Sequence, residues 1–281
     1  MNEAELVFSY ILDCDRLSLY LNKDSFLKKD KSVLVSKALA RRISGEPVQY
    51  ILGKSEFMGL EFKTDRRALI PRPETEILVG SVINELKAGK KTRPEILDIG
   101  TGCGCIAVSI AKLLPGSQVQ ACDISESALK LARENASLNN VNVRFFHSDL
   151  FSGTDKKFDL IISNPPYVAL KEYYKLERGI LFEPQNALKA GIDGLCFYRK
   201  ITKLAAGYLK RSGMIAFEAG KGQAQEIKRL LQKNGFCGIR IIKDYNNIER
   251  VIIGKKQDSS SLIRRDFVKQ KHKVLKFALT S

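Results

Sequence analysis

Two patterns of apolar positions alternate between residues 95 and 253. Short apolar runs, typical of buried strands, alternate with longer stretches whose apolar residues recur every three or four positions, as they do in helices. The predicted strands are 95–99, 118–123, 141–146, 158–163, 213–218, 239–243 and 250–253. The predicted helices are 103–114, 126–138, 195–210 and 222–234, with Ser125 as the N-cap of the second helix.

This order of elements predicts an α/β fold. Strands joined by helices lie parallel in one sheet, with right-handed crossovers. The last two strands are joined only by a short turn around Tyr245, Asn246 and Asn247, so they should run antiparallel. We therefore expect a mostly parallel seven-stranded sheet with one antiparallel strand.

The first part of the chain has a different pattern. Residues 1–52 have loose helical periodicity, which suits a small bundle whose second helix stops at Gly45 and Pro47. Phe57, Leu60 and Phe62 indicate a short hairpin or an extended linker. The predicted domains are an N-terminal helical domain (1–54), a linker or hairpin (55–73), an α/β domain (74–254) and a basic tail (255–281).

Composition and charge narrow the class of protein. The formal net charge is +16, and the tail carries eight Lys and Arg against two Asp, which favours phosphate-rich partners such as the ribosome, although a merely solvated tail explains the same charges. No apolar run is long enough to span a membrane, and the N-terminus lacks a signal-peptide pattern. Six cysteines without a CxxC pair and two histidines predict no metal site, no disulfide framework and a cytoplasmic location.

A glycine-rich turn follows the first strand of the α/β domain. Glycines allow a close backbone approach to a ligand, and the next helix offers free N–H groups to an anion. Asp98 at the strand end suits an ammonium group, and Asp123 at the end of the next strand suits ribose hydroxyls. Asp149, Leu150 or Phe151 would hold an adenine, with Phe151 stacking on it. The predicted cofactor-binding residues are Asp98, Gly100, Thr101, Gly102, Cys103, Gly104, Asp123, Phe151 and Asn164.

The segment Asn164-Pro165-Pro166-Tyr167 follows a second buried strand. An amide nitrogen is a poor nucleophile, and two hydrogen-bond acceptors aimed at its NH₂ group orient it and stabilise the charge that develops during attack. The Asn164 side chain and the Pro165 backbone offer such oxygens, and Tyr167 offers a flat face for a planar amide or base. With the glycine turn, this segment predicts transfer of a methyl group from S-adenosylmethionine to a planar nitrogen.

Several stretches resemble the release factor glutamine methyltransferases, the HemK/PrmC family. They are residues 45–53, 56–62, 69–76, 98–104, 164–167, 182–188 and 191–195, and the resemblance extends over about residues 1–254. It implies the methyltransferase fold and methylation of the glutamine in the Gly-Gly-Gln motif of class I peptide chain release factors. Phe151 stands where the family often has tryptophan, and the N-terminal domain is expected to grip the release factor.

The resemblance also implies the roles of individual residues. The expected catalytic residues are Asn164, Pro165 and Tyr167. The expected substrate-binding residues are Asn164, Pro165, Pro166, Tyr167, Arg72, Pro73 and Glu74.

Other functions are compatible with parts of the pattern. A paralogous enzyme that modifies a glutamine of a ribosomal protein shares both core motifs. An adenine-N6 nucleic-acid methyltransferase uses the same tetrapeptide but usually needs a target-recognition domain and a way to extrude the base. A cofactor-binding module without activity, or an NAD-dependent oxidoreductase suggested by Gly102, Gly104 and Ala107, leaves the tetrapeptide without a role.

Overall fold

The structure is a computed structural model that describes residues 2–257. The basic tail that the sequence suggests for phosphate-rich partners lies, from residue 258 onward, outside the described residues. Four helices open the chain: α1 (Glu3–Leu12), α2 (Arg16–Leu21), α3 (Lys29–Ile43) and α4 (Val48–Leu52).

The N-terminal helices pack around a small core of Val7, Ala38 and Val48. Four helices form where loose periodicity indicated two, because Asp13, in a left-handed conformation, ends α1 and Asp15 caps α2 by accepting from the Ser18 N–H. A hairpin of β1 (Lys54–Phe57) and β2 (Leu60–Lys63) follows.

The seven-stranded sheet lies after helix α5 (Pro73–Ala88). Its strands are β3 (Glu95–Ile99), β4 (Gln118–Asp123), β5 (Arg144–His147), β6 (Phe158–Ser163), β7 (Leu209–Glu218), β8 (Phe236–Lys243) and β9 (Glu249–Lys256). The strand order is β5-β4-β3-β6-β7-β9-β8, and β9 runs antiparallel to both of its neighbours. The predicted fold class is confirmed.

Helices cover both faces of the sheet because neighbouring strand residues point to opposite sides. The remaining helices are α6 (Cys105–Leu113), α7 (Glu126–Leu138), α8 (Leu170–Tyr173), α9 (Cys196–Tyr208) and α10 (Ala224–Lys233). Residues of α5, α6 and α7 share one core cluster with Ile96, whereas α9 and α10 share the other with Leu97. Such two-sided cover explains why the strands read as continuous apolar runs.

Some boundaries differ from the sequence prediction. The strand expected to begin at residue 213 begins at Leu209, where α9 has already ended, and Ser212 within it has a left-handed conformation. The long segment expected to be a loop after Ala169 contains α8 and two short 3₁₀ turns. No helix within residues 2–257 has the length and apolar character to cross a membrane.

Candidate active site

A cavity of about 360 Å³ opens at the carboxyl ends of β3, β4 and β6. Ligands of open parallel sheets bind at this edge, and the volume is in the range of small-molecule sites. Its walls combine the glycine turn, the end of β4, the segment after β6 and the approach to α5. Pro184, Asn186, Ala187 and Lys189 of the long loop, with Phe197 and Ile201 of α9, complete the lining.

The glycine turn after β3 has the backbone that only glycine adopts easily. Gly100, Gly102 and Gly104 have φ values of +71°, +56° and +84°. A Cβ atom on Gly104 would lie 3.0 Å from the Ala132 Cβ atom of α7. Gly100, Thr101, Gly102 and Cys103 line the cavity, whereas Gly104 lies behind them as the cap of α6.

Asp98 lies beneath this turn and is completely buried. The Thr101 hydroxyl donates to Asp98 Oδ2 over 2.6 Å, and Oδ1 has no hydrogen-bond partner within residues 2–257. Burial raises the pKa of Asp98 to about 7. Asp98 itself does not line the cavity, whereas the residues that follow it, Ile99, Gly100 and Thr101, do. An unpaired buried carboxylate oxygen is costly, so Oδ1 is an acceptor that still lacks a donor.

Asp123 lines the cavity at the end of β4. Its Oδ2 accepts from the Gly102 N–H and its Oδ1 from the Ser125 N–H, both over 2.9 Å. Burial raises the pKa of Asp123, although these backbone donors stabilise its charged form. Each carboxylate oxygen keeps a further lone pair that a hydroxyl group can use.

The segment after β6 also reaches the cavity. Asn164, Pro165 and Pro166 line it. Asn164 Nδ2 donates to Thr75 Oγ1 over 3.2 Å, which leaves the other end of the Asn164 amide as an acceptor. The glycine turn after β3 and the segment after β6 thus line the same cavity.

Tyr167 does not line the cavity, although the sequence suggested that its ring offers a flat face to the target amide or base. Its ring packs against Gly220, where an added Cβ would lie 2.9 Å from Tyr167 Cδ2. Gln223 Nε2 donates to the Tyr167 backbone oxygen over 2.9 Å, and burial raises the pKa of the phenol to about 12. These contacts stabilise the segment from behind.

The three other residues expected to bind substrate lie at the start of α5 and just before it, and only one of them lines the cavity. Arg72 lines the cavity and forms an ion pair with Glu183, which is buried and also accepts from the Ile70 N–H over 3.2 Å. Pro73 and Glu74, at the start of α5, lie outside the cavity lining. The ion pair joins the long loop to the cavity wall.

Phe151 requires a correction. Its side chain is buried among the residues between the sheet and α9, and its ring stacks on Tyr208 with centroids 4.4 Å apart and planes at 11°. Leu150, the preceding residue, lines the cavity instead. Leu150 has a positive φ of 55°, so the chain turns between these residues and directs Phe151 into the core.

Replacing Phe151 with leucine should therefore reduce stability and leave cofactor binding unchanged. The loss of the stack on Tyr208 is expected to lower the free energy of unfolding by about 1–2 kcal/mol. Urea unfolding and calorimetric titration with S-adenosylmethionine measure the two effects. Weakened S-adenosylmethionine binding at unchanged stability would instead support adenine stacking on Phe151.

Sequence reasoning missed Thr75 and Glu218. Thr75 lines the cavity and its hydroxyl donates to Glu218 Oε2 over 2.6 Å. Glu218 ends β7 and is buried, and this burial raises its pKa to about 7. A glutamate directly after the apolar residues 214–217 was the available signal.

Residues 2–257 contain no group of three or more His, Cys, Asp or Glu placed to hold a metal ion. All six cysteines are free.

Two protein families match parts of this chain. The PrmC N-terminal domain family matches residues 1–53, and the methyltransferase small domain family matches residues 75–194. A methyltransferase structure from Pyrococcus furiosus has the same fold, with a TM-score of 0.53 and 21% identity, over 82% of this chain and all of that one.

Two similar proteins are named release factor glutamine methyltransferase. The protein from Fusobacterium nucleatum is 44% identical over 259 residues, 90% of this chain and 73% of its own length. The protein from Thermodesulfovibrio yellowstonii is 41% identical over 262 residues, 92% of this chain and 94% of its own length. With such identity over about nine-tenths of this chain, the protein belongs to the family of release factor glutamine methyltransferases.

Proposed function

We propose that the protein methylates the side-chain amide nitrogen of the glutamine in the Gly-Gly-Gln motif of class I peptide chain release factors, with S-adenosylmethionine as methyl donor. The observation that carries this proposal is the placement of Asn164 and Pro165 in the same cavity as the glycine turn. The names of the relatives support the release factor as substrate.

The residues of the cavity fit S-adenosylmethionine. Asp98 does not line the cavity but directly precedes the lining residues 99–101, and its buried Oδ1 has no partner among residues 2–257. This free acceptor suits the ammonium group of the methionine part of S-adenosylmethionine. Asp123 suits the ribose hydroxyls, and Leu150 offers an apolar contact for the adenine. When bound, S-adenosylmethionine supplies an electrophilic methyl group.

The remaining chemistry belongs to the target amide and its acceptors. Hydrogen bonds from the amide NH₂ to the Asn164 side-chain oxygen and the Pro165 backbone oxygen would orient the nitrogen and stabilise its developing positive charge. The nitrogen forms a bond to the methyl carbon as the carbon–sulfur bond breaks. The methylated nitrogen is strongly acidic, so it releases its extra proton to water without a dedicated base.

The proposal is tested by mass spectrometry of a release factor incubated with the protein and S-adenosylmethionine. We expect one added methyl group on the Gly-Gly-Gln glutamine, and none on a release factor in which asparagine replaces that glutamine. A ribosomal protein assayed in parallel tests the paralogous activity. Methylation of the ribosomal protein alone would refute the proposed substrate.

Two further assignments remain proposals. A cytoplasmic site of action fits the free cysteines. Contact with the ribosome through the basic tail is supported by charge alone.

A further inference from the structure

Three polar side chains form a connected series that begins in the cavity wall, with Asn164 and Thr75, and ends at the buried Glu218. Glu218 Oε2 accepts from the Thr75 hydroxyl over 2.6 Å, and Thr75 Oγ1 accepts from Asn164 Nδ2 over 3.2 Å. They come from three elements, because Glu218 ends β7, Thr75 lies in the first turn of α5 and Asn164 follows β6. Glu218 is 1% exposed and Thr75 is 2% exposed, so water does not compete for these contacts.

The chemistry of the groups gives this series one direction. When Glu218 is ionised, above its pKa of about 7, its carboxylate can only accept, so the single proton of the Thr75 hydroxyl is directed to Glu218. The Thr75 oxygen can then only accept from its other neighbour, and Asn164 must present its NH₂ group to it. A flipped Asn164 amide would place two oxygen lone pairs against each other.

We propose that Glu218 and Thr75 are positioning residues that hold the Asn164 amide with its oxygen available to the target nitrogen. The proposal rests on the proposed function. A flipped Asn164 would present its own NH₂ group to the NH₂ group of the substrate glutamine, so two donors would meet and the amide nitrogen would lose an acceptor.

The surroundings hold the series in place. The Tyr198 hydroxyl donates to the Glu218 backbone oxygen over 2.8 Å, which fixes the end of β7. Gln223 ties the same region to the segment after β6, because it accepts from the Gly220 N–H and donates to the Tyr167 backbone oxygen. The strand end and the Asn164 segment therefore keep their relative position. The Thr75 hydroxyl then orients the Asn164 amide together with Glu218, whose carboxyl also interacts directly with the Asn164 side chain.

Thr75→Val and Thr75→Ser separate this role from a structural one. Valine keeps the shape and removes the hydroxyl, so kcat for release factor methylation should fall roughly 10- to 100-fold, with KM for both substrates changed by less than about twofold. Serine keeps the hydroxyl and should retain most of kcat. Thr64→Val is the matched control, because Thr64 is buried and its hydroxyl donates to the Gln49 backbone oxygen outside the cavity.

Steady-state kinetics and calorimetric binding of S-adenosylmethionine decide the outcome. An unchanged kcat in Thr75→Val, equal losses in the valine and serine variants, or a loss confined to KM would each overturn the positioning role. If Thr75→Val fails to fold, Thr75→Ala gives the same test, since alanine also removes the hydroxyl. A wild-type protein that methylates no release factor overturns the proposed function and this inference together, whereas an active wild type with an unaffected variant overturns only the inference.

Discussion

Replacing Asn164 with alanine is expected to lower kcat for glutamine methylation roughly 100- to 1,000-fold. Under the proposed function, the substitution removes one of the two acceptors for the NH₂ group of the target amide, while Pro165 and the glycine turn remain in the cavity. Binding of S-adenosylmethionine should change much less, because Asp98 and Asp123 are untouched. Single-turnover methylation of a release factor, with binding measured separately, gives both quantities.

Asn246→Ala is the matched control for this experiment. Asn246 is exposed in the turn between β8 and β9, outside the cavity lining, so its loss should leave kcat unchanged. A near-normal kcat in Asn164→Ala would show that the Asn164 side chain is not an essential acceptor. A loss explained entirely by weaker S-adenosylmethionine binding would assign Asn164 to the cofactor alone.

Replacing Glu218 with glutamine should stabilise the protein at alkaline pH. The change in unfolding free energy that this substitution causes should be more favourable at alkaline pH than at acidic pH by about 3 kcal/mol. Burial raises the pKa of the Glu218 carboxyl from 4.5 to about 7, although the Thr75 hydroxyl and the charge of Arg250 oppose the shift, while Glu74 adds to it. Between these two values the folded protein keeps a proton that the unfolded chain releases. The contribution of Glu218 to stability therefore falls as the pH rises through this window.

Glutamine does not titrate, so the difference in unfolding free energy between the variant and the wild type should grow from about pH 5 to about pH 8. Urea unfolding of both proteins across this range measures it. Asp98, whose pKa burial also raises to about 7, is present in both proteins, so its effect cancels in the difference. A difference that stays constant with pH would contradict the assignment. If Glu218→Gln is more stable than the wild type at alkaline pH but has a lower kcat, this residue trades stability for activity.

The order of elements in the α/β domain was predictable because the spacing of apolar residues and the length of each connection can be read from short stretches of the sequence. Alternating strands and helices lead to one parallel sheet, and the short turn at Tyr245 identifies the antiparallel strand. The ends of parallel strands share one edge, so the proximity of the glycine turn and Asn164 also followed. The division of the first helical region into α1 and α2 was not predictable, because helices of six and ten residues have too few turns to show a clear spacing of apolar residues.

Side-chain direction and long-range contacts were not predictable. The left-handed backbone of Leu150 turns Phe151 into the core, and nothing in the apolar pattern marks this turn. Thr75 contacts Glu218 across 143 positions of the chain and Asn164 across 89. Such contacts depend on how α5 packs against the assembled sheet, which a single sequence does not reveal.

The antiparallel direction of β9 determines on which side of the sheet residue 257 lies. Val251 pairs with Glu218 near the cavity edge of the sheet, whereas Lys255 pairs with Met214, and Lys256 Nζ donates to the backbone oxygen of Leu209 at the opposite edge. The chain therefore leaves the sheet on the side away from the cavity. A surface attachment made at residue 257, where the described part of the chain ends, should consequently leave the cavity open to the solution and accessible to a release factor.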